Sequence, residues 1–258
     1  RTYPLKHVKK MFYWPWAEYR VLRDAAAVLF TSEDERRLAR ESFPRYHAKE
    51  VVVNYGTATP GVDWAAAQEG FAAKYPELRG REFLLFLGRL HEKKGVDLLI
   101  KAFASLGEER GQLVLAGPCA DDNYLRHLRE LARDLPVTFT GMLSGNLKWG
   151  ALRAADAFVL PSHQENFGIA IAAALAGGTP VLISDKVNIW REVVQDGGGD
   201  AENDDLAGTK QLLERWRQVS PNERAEMSAR ARSLFARRFE INQAVDSFLE
   251  VLCGARAD

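Results

Sequence analysis

From Arg81 onward the chain alternates short runs that are apolar throughout with longer segments whose apolar residues recur at helical spacing. The runs lie at 83–88 (FLLFLG), 112–117 (QLVLAG), 137–141 (VTFTG), 157–161 (AFVLP) and 180–184 (PVLIS). Strands without polar alternation are buried on both faces, and helices between them imply parallel crossovers. The pattern therefore predicts a Rossmann-like, doubly wound α/β sheet with helices on both faces. Ligands of such sheets bind at the C-terminal ends of the strands.

Before Arg81 the pattern is shorter. Residues 17–27 predict a helix and 27–31 an apolar strand. Ser32 is the N-cap of a second helix, forming a capping box with Glu35 and ending near Phe43 and Pro44. The β-branched run EVVVN at 50–54 predicts another strand, closed by Asn54, Tyr55 and Gly56. Residues 57–80 pass through Pro60, Gly61, an alanine-rich helix and Pro76 without a strong strand, as a linker does. The tail from Asp205 to Leu252 reads as helical, with the arginines of 215–238 on a solvent face. The division expected is a partial Rossmann-like domain at 1–58, a linker at 59–80, a main Rossmann-like domain at 81–238 and a C-terminal helix at 239–258.

Composition narrows the partners. Hydrophobic residues make up 47% and charged residues 27%, with 35 Lys and Arg against 35 Asp and Glu. Zero net charge gives no global electrostatic case for nucleic acid, so any anion site is local. No run of about 18 apolar residues and no signal-peptide pattern occurs, which makes the cytoplasm the expected compartment. Cys119 and Cys253 have neither disulfide nor metal spacing and read as buried structural thiols. Trp14 and Trp16, near Lys6, Lys9 and Lys10, suit either packing against a further sheet or a peripheral membrane anchor. His7, His47, His91 and His127 have no metal-ligand spacing, and no metal is expected.

Two loops concentrate candidate chemistry. Gly88-Arg89-Leu90-His91-Glu92-Lys93-Lys94-Gly95 follows the first strand of the main domain and precedes a helix, so glycine permits close approach while Arg89 and a lysine can meet phosphate oxygens. Pro161 to Gly168 (PSHQENFG) ends another strand and opens a helix at Phe167 or Gly168. The backbone amides of Asn166 to Ile169 would face an anion there, and Glu165 can accept hydrogen bonds from sugar hydroxyls. Both loops open on one edge of the sheet.

The ordered blocks LFLGRLHEKKGVDLLIKAFA, LVLAGP, VTFTGMLSG, AADAFVLPSHQENFGIAIAAALAGGTPVLIS and REVVQDG resemble family 4 (group 1) glycosyltransferases, retaining enzymes of the GT-B fold. The resemblance implies that Arg89 and Lys94 grip the donor diphosphate and that Glu165, the first glutamate of the E-x7-E motif, contacts the donor sugar. It implies that Gly88 and the backbone of Asn166, Phe167, Gly168 and Ile169 adjoin the donor, and that Met142 lies where main chain meets the nucleobase. The donor's phosphate is the base in such enzymes, so His163 is assigned no catalytic role and no divalent ion or other cofactor is implied. The second glutamate of the motif, which holds the ribose, is replaced by Ala173. Loss of a charge-assisted hydrogen bond costs about 1.5–3 kcal/mol.

Enzymes of this fold have a whole acceptor-side sheet, and the front of this chain resembles only its last portion, so a fragment carrying the donor half is expected. The expected partners are a nucleoside-diphosphate sugar, an acceptor such as a sugar or lipid-linked sugar, and the missing N-terminal domain. Two further readings stand beside transfer: a non-catalytic nucleotide-sugar-binding module, and a GT-B sugar-nucleotide epimerase.

Overall fold

The computed structural model describes residues 8, 12–14, 16–42, 45–53, 55–108 and 111–254. Its front forms a small layer: α1 (Glu18–Asp24), β1 (Val28–Phe30), α2 (Glu33–Arg40) and β2 (Glu50–Val52). β1 and β2 pair in parallel, with Val28 opposite Glu50 and Phe30 opposite Val52. Ser32 caps α2 through its hydroxyl, which accepts from the Glu35 amide at 3.1 Å. The expected capping box is only half formed. The Glu35 carboxylate accepts from the Thr31 amide and hydroxyl, at 2.8 and 2.7 Å, one residue before the cap. The stop expected at Phe43 and Pro44, and the end of the second strand at Asn54, lie outside the described residues.

Residues 59–80 contain a well-formed helix, α3 (Trp64–Lys74), whose N-cap Asp63 accepts from the Ala65 and Ala66 amides. Phe71 and Ala67 on α3 are buried. A side chain at Gly150 would come within 2.0 Å of the Ala67 carbonyl, so glycine there lets two helices meet backbone to backbone.

The main sheet follows: β3 (Phe83–Leu87), α4 (Val96–Ala104), β4 (Gln112–Ala116), α5 (Asp122–Leu131), β5 (Val137–Gly141), α6 (Gly145–Ala154), β6 (Ala157–Leu160), α7 (Ile169–Gly177), β7 (Val181–Ser184), α8 (Trp190–Gln195) and β8 (Gly199–Glu202). All six strands are parallel, in the order β5-β4-β3-β6-β7-β8. The chain builds outward from β3 to β5, then returns to lay β6 beside β3. That reversal opens a crevice at the C-terminal ends of β3 and β6. α4 and α5 pack with α9 (Leu206–Gln218) on one face, while α3, α6, α7 and α10 (Pro221–Leu234) cover the other.

The central strands are buried as their sequences imply, and Leu85, Phe86, Leu115 and Phe158 are fully enclosed. Each such side chain contributes about 1.5–3 kcal/mol relative to exposure. β5 is an edge strand and only half-buried. The other edge strand, β8, has the sequence GDAE and no apolar run, so periodicity does not reveal it. Its Gly199 is pressed against Val181, whose carbonyl would lie 2.0 Å from an added Cβ.

Three expectations about side chains change. Cys253 is exposed rather than buried, because α11 (Ile241–Gly254) turns that face outward, while half-buried Cys119 points its thiol at the Leu90 carbonyl, 3.2 Å away. The arginines of 215–238 are not merely solvated. Arg215 pairs with Asp200 and Glu202, and both Arg237 and Arg238 converge on the buried carboxylate of Asp196, lowering its pKa. Trp14 and Trp16 part company: Trp14 is buried against Tyr46, whereas Trp16 is exposed.

The tail brings the two layers together. α10 runs into a π-helical turn, Phe235–Phe239, and the Phe239 carbonyl accepts from the Thr57 amide at 2.9 Å. On the opposite side the buried Asp34 carboxylate of α2 pairs with Arg191 of α8 at 3.1 Å.

Candidate functional site

The β3 loop is built around two turns. Leaving β3, the Gly88 amide donates to Ala116 O and the Leu90 amide to Pro118 O, both at 2.9 Å, which binds this loop to the end of β4. Gly117 in turn donates to Gly141 O at the end of β5, at 2.8 Å. The loop then makes a 3-10 turn over Glu92–Lys94 and enters α4 through Gly95, at φ 64°. That left-handed conformation excludes most side chains, and a Cβ would also sit 2.1 Å from the Pro161 carbonyl. Glycine at position 95 therefore lets the β3 loop lie directly against the β6 loop.

The β6 loop is fastened to the same place by hydrogen bonds. The His163 amide donates to Lys93 O at 2.9 Å. The fully buried Ser162 hydroxyl lies 3.0 Å from the carbonyl oxygens of Lys93 and Gln164. Ser184, also fully buried at the end of β7, donates to Ser162 O. Glu165 is held on both sides of its peptide: its amide donates to Lys186 O at 3.0 Å and its carbonyl accepts from Asn188 at 2.9 Å.

These contacts decide where the expected site residues stand. Lys94 and Glu165, 71 positions apart, meet in an ion pair with both side chains about four-fifths buried. Arg89 is exposed on the same loop as Lys94. Gly88 is half-buried at the end of β3. Asn166 is exposed, whereas Phe167 is buried, with ring centroids 4.9 Å from Tyr55 and 5.3 Å from Phe239. Its side chain thus anchors the loop by packing. Gly168, at φ 75°, is the N-cap of α7, so the helix starts at Ile169 rather than at Phe167 or Gly168. Ile171 and Ala172 make the first intrahelical bonds, both to Gly168 O, leaving the Ile169 and Ala170 amides outside the helix ladder. Ile169 is exposed and Ala173 is buried within α7. Met142 is exposed beyond β5, two strands from the crevice.

Sequence reasoning gave no role to Ser162 and Ser184, which hold the β6 loop. Small hydroxyl residues at the ends of buried strands were the available signal. His163 pairs through Nδ1 with Asp204 at 2.9 Å. The Lys186 ammonium pairs with Asp185 at 2.7 Å, a hydrogen bond that raises its pKa. A cavity of about 540 Å³ separates α2 from the β6 and β7 loops, with Asp34, Arg37, Asn166, Lys186, Asn188 and Arg191 on its walls. Chemically, Lys94 pairs with Glu165, and Glu165 Cγ lies 3.2 Å from where a Cβ on Gly168 would stand, so a cation, a carboxylate and the start of α7 adjoin at the crevice.

Comparison with known proteins agrees with this architecture. The chain is 31% identical over 235 residues to a D-inositol 3-phosphate glycosyltransferase of Xylanimonas cellulosilytica, a match spanning 87% of this chain and 55% of the relative. It is 36% identical over 137 residues to a glycogen synthase of Mycobacterium tuberculosis, covering 52% of this chain and 32% of that one. The chain spans about half the length of the curated D-inositol 3-phosphate glycosyltransferases it matches. Among solved structures, sucrose-phosphate synthase from Thermosynechococcus elongatus superposes with a TM-score of 0.76 at 22% identity, over 93% of this chain and 61% of that one. HepE of Anabaena in complex with UDP-glucose superposes with a TM-score of 0.75 at 17% identity, over 91% and 65%. The fold is that of GT-B glycosyltransferases. The family described as Glycosyl transferases group 1 matches residues 68–234, which include α4 to α10 and the whole crevice, and the chain belongs to that family.

Proposed function

We propose that this chain is the donor-binding part of a retaining, family 4 glycosyltransferase. In the whole protein it passes a sugar from a nucleoside-diphosphate sugar to an acceptor, a sugar or lipid-linked sugar, in polysaccharide or glycoconjugate synthesis. The observation that carries this reading is the meeting of Lys94 and Glu165 across the crevice between β3 and β6. A phosphate-seeking cation and a hydroxyl-seeking carboxylate then stand where one ligand can touch both. Solved HepE holds UDP and UDP-glucose on the same fold, which supports a ligand of this class.

In this reading Arg89 and Lys94 neutralise charge on the departing diphosphate, and the N-terminus of α7 adds its dipole. Glu165 orients the sugar through its hydroxyls. Gly88, Asn166, Phe167, Gly168 and Ile169 supply backbone around the donor, with the Met142 backbone toward the base. Residues 81–238 form the donor domain. Residues 1–58 belong to an acceptor-side domain, 59–80 join the two, and 239–258 form the closing helix. The acceptor reaches the sugar from the cavity beside α2.

Calorimetric titration with UDP, GDP and ADP tests the site. One nucleotide binds, and Arg89→Ala and Lys94→Ala each weaken it roughly 10–150-fold, the equivalent of a charge-assisted hydrogen bond. Absence of binding at millimolar nucleotide, or unchanged affinity in both variants, defeats the reading. Ala173 favours a second reading, a nucleotide-sugar-binding module without transfer activity. If Ala173→Glu tightens nucleotide binding, the ribose side of the site is degraded and this second reading gains; unchanged affinity indicates a donor site built differently.

A further inference from the structure

Glu165 is anchored from further away than its own loop. Its peptide forms an isolated parallel bridge with Val187, so the segments after β6 and β7 continue side by side beyond the ends of their strands. The segment after β7 is joined in turn to the end of β8, where the Asp185 amide donates to Glu202 O at 2.7 Å. Three loops thus extend the sheet in the lateral order of β6, β7 and β8. Glu165 sits on the first, Lys186 on the second and Asp204 on the third.

Side chains tie the three loops together. A carboxylate can only accept, so His163 Nδ1–H donates to Asp204 Oδ2, at 2.9 Å. The other Asp204 oxygen lies 3.7 Å from the Lys186 ammonium, which Asp185 also engages at 2.7 Å. Asp204 therefore meets two side chains that bracket Glu165: one two residues before it, the other on the residue whose carbonyl receives its amide. This second anchorage matters because the Glu165 carboxylate has Lys94 as its partner. When a diphosphate draws Lys94 away, the carboxylate keeps its aim through its peptide, and that peptide is held by Lys186 and Asn188.

We propose that His163 and Asp204 are positioning residues for Glu165: their hydrogen bond fixes the loops after β6, β7 and β8 to one another, so that Glu165 meets the donor sugar once Lys94 has turned to the diphosphate. They act through the Glu165 peptide and make no contact with the sugar themselves. The inference rests on the donor reading given above for the ligand, and on hydrogen bonds within the described residues for the tether.

Calorimetry of the 258-residue chain with UDP and UDP-glucose, GDP and GDP-glucose, and ADP and ADP-glucose provides the test. Within each couple, the ratio of the two affinities isolates the sugar. His163→Ala and Asp204→Ala each lower that ratio by about two- to fivefold, as for an exposed ion pair, and leave nucleoside diphosphate affinity unchanged. The double variant loses no more than either single one. His163→Asn, whose amide nitrogen falls near the place of Nδ1, restores the ratio. Asp205→Ala removes a helix cap one residue further on and alters neither affinity. In the unliganded chain, hydrogen exchange at the Glu165 and Asn188 amides quickens by about the same factor in the two alanine variants. Nucleotide binding by the unmodified chain with a ratio and exchange rates indifferent to these variants overturns the inference and leaves the donor reading standing. Parallel loss of both affinities also overturns it, by assigning the pair to folding alone. Absence of nucleotide binding by the unmodified chain defeats the donor reading and this role together.

Discussion

α2, α3, α5, α9 and α10 begin on Ser or Asp side chains that fold back onto their own first turn, whereas α4 and α7 begin on glycine with no side-chain cap. A capping side chain is worth about 1 kcal/mol, so the second pair forgoes a common local stabiliser. These two helices also follow β3 and β6, the strands that bound the crevice. Those five helices secure their own first turns, while at the crevice long-range contacts hold the chain and the Ile169 and Ala170 amides of α7 stay outside its ladder. Among those contacts Gly95 lies directly against Pro161 O.

The comparison is most directly broken at Gly95. Gly95→Ala forces a side chain into both a left-handed backbone and the Pro161 carbonyl, and should cost about 3 kcal/mol or more in urea unfolding. Gly80→Ala is the control: its φ is also positive, at 69°, but nothing lies within 4 Å of the added Cβ, so it should cost about 1–2 kcal/mol. Equal losses would mean that loop contact adds nothing beyond backbone strain. Glu165→Gln releases Lys94 from its carboxylate partner. Nucleoside diphosphate should then bind more tightly by on the order of 1 kcal/mol in calorimetry, while transfer by the whole protein falls. Weaker diphosphate binding would show that the pair positions Lys94 instead of competing for it.

At a capped helix the effect should be confined to stability. Asp205 accepts from the Gly208 amide at 2.7 Å, and Asp205→Ala should lower unfolding free energy by about 1 kcal/mol without altering nucleotide affinity. α1, α6 and α8 have neither a side-chain cap nor a glycine at the cap position. α8 starts on Ile189, and its first-turn Glu192 has a buried Oε2 that meets no donor. Burial raises the Glu192 pKa above its ordinary 4.5, with Arg238 opposing and Asp34 and Glu33 reinforcing the rise. Folding therefore favours the protonated acid, and its contribution declines as pH climbs from about 4.5 through the raised value. Glu192→Gln should give a small gain in melting temperature at neutral pH that vanishes below the ordinary value. A gain independent of pH would assign it to packing.

Much of the main sheet was legible because its strands are buried on both faces, so uninterrupted apolar runs such as FLLFL and AFVL mark them. β8 was not, because an edge strand carrying Asp200 and Glu202 to Arg215 has no reason to be apolar. The capping box at Ser32 was half right, since sequence spacing cannot tell whether Glu35 reaches Ser32 or Thr31. The loops bearing Arg89, Lys94 and Glu165 were legible as strand-to-helix turns. Their opening on one sheet edge was legible too, but the direct pairing of Lys94 with Glu165, 71 positions apart, depends on strand order, which sequence leaves open. Likewise, nothing local distinguishes Trp14 from Trp16; the stacking of Trp14 on Tyr46, 32 positions on, decides it.

The clasp between the β3 and β6 loops also defines what can be exchanged between relatives. Lys93 O receives the His163 amide and lies beside the Ser162 hydroxyl, and Gly95 makes room for Pro161. A chimera that imports residues 88–95 alone, or 161–168 alone, inherits one half of a fitted pair. Donor preference should be transplantable only when the two segments travel together, so the heritable module of this crevice is a pair of loops separated by more than sixty residues of sequence, not either loop.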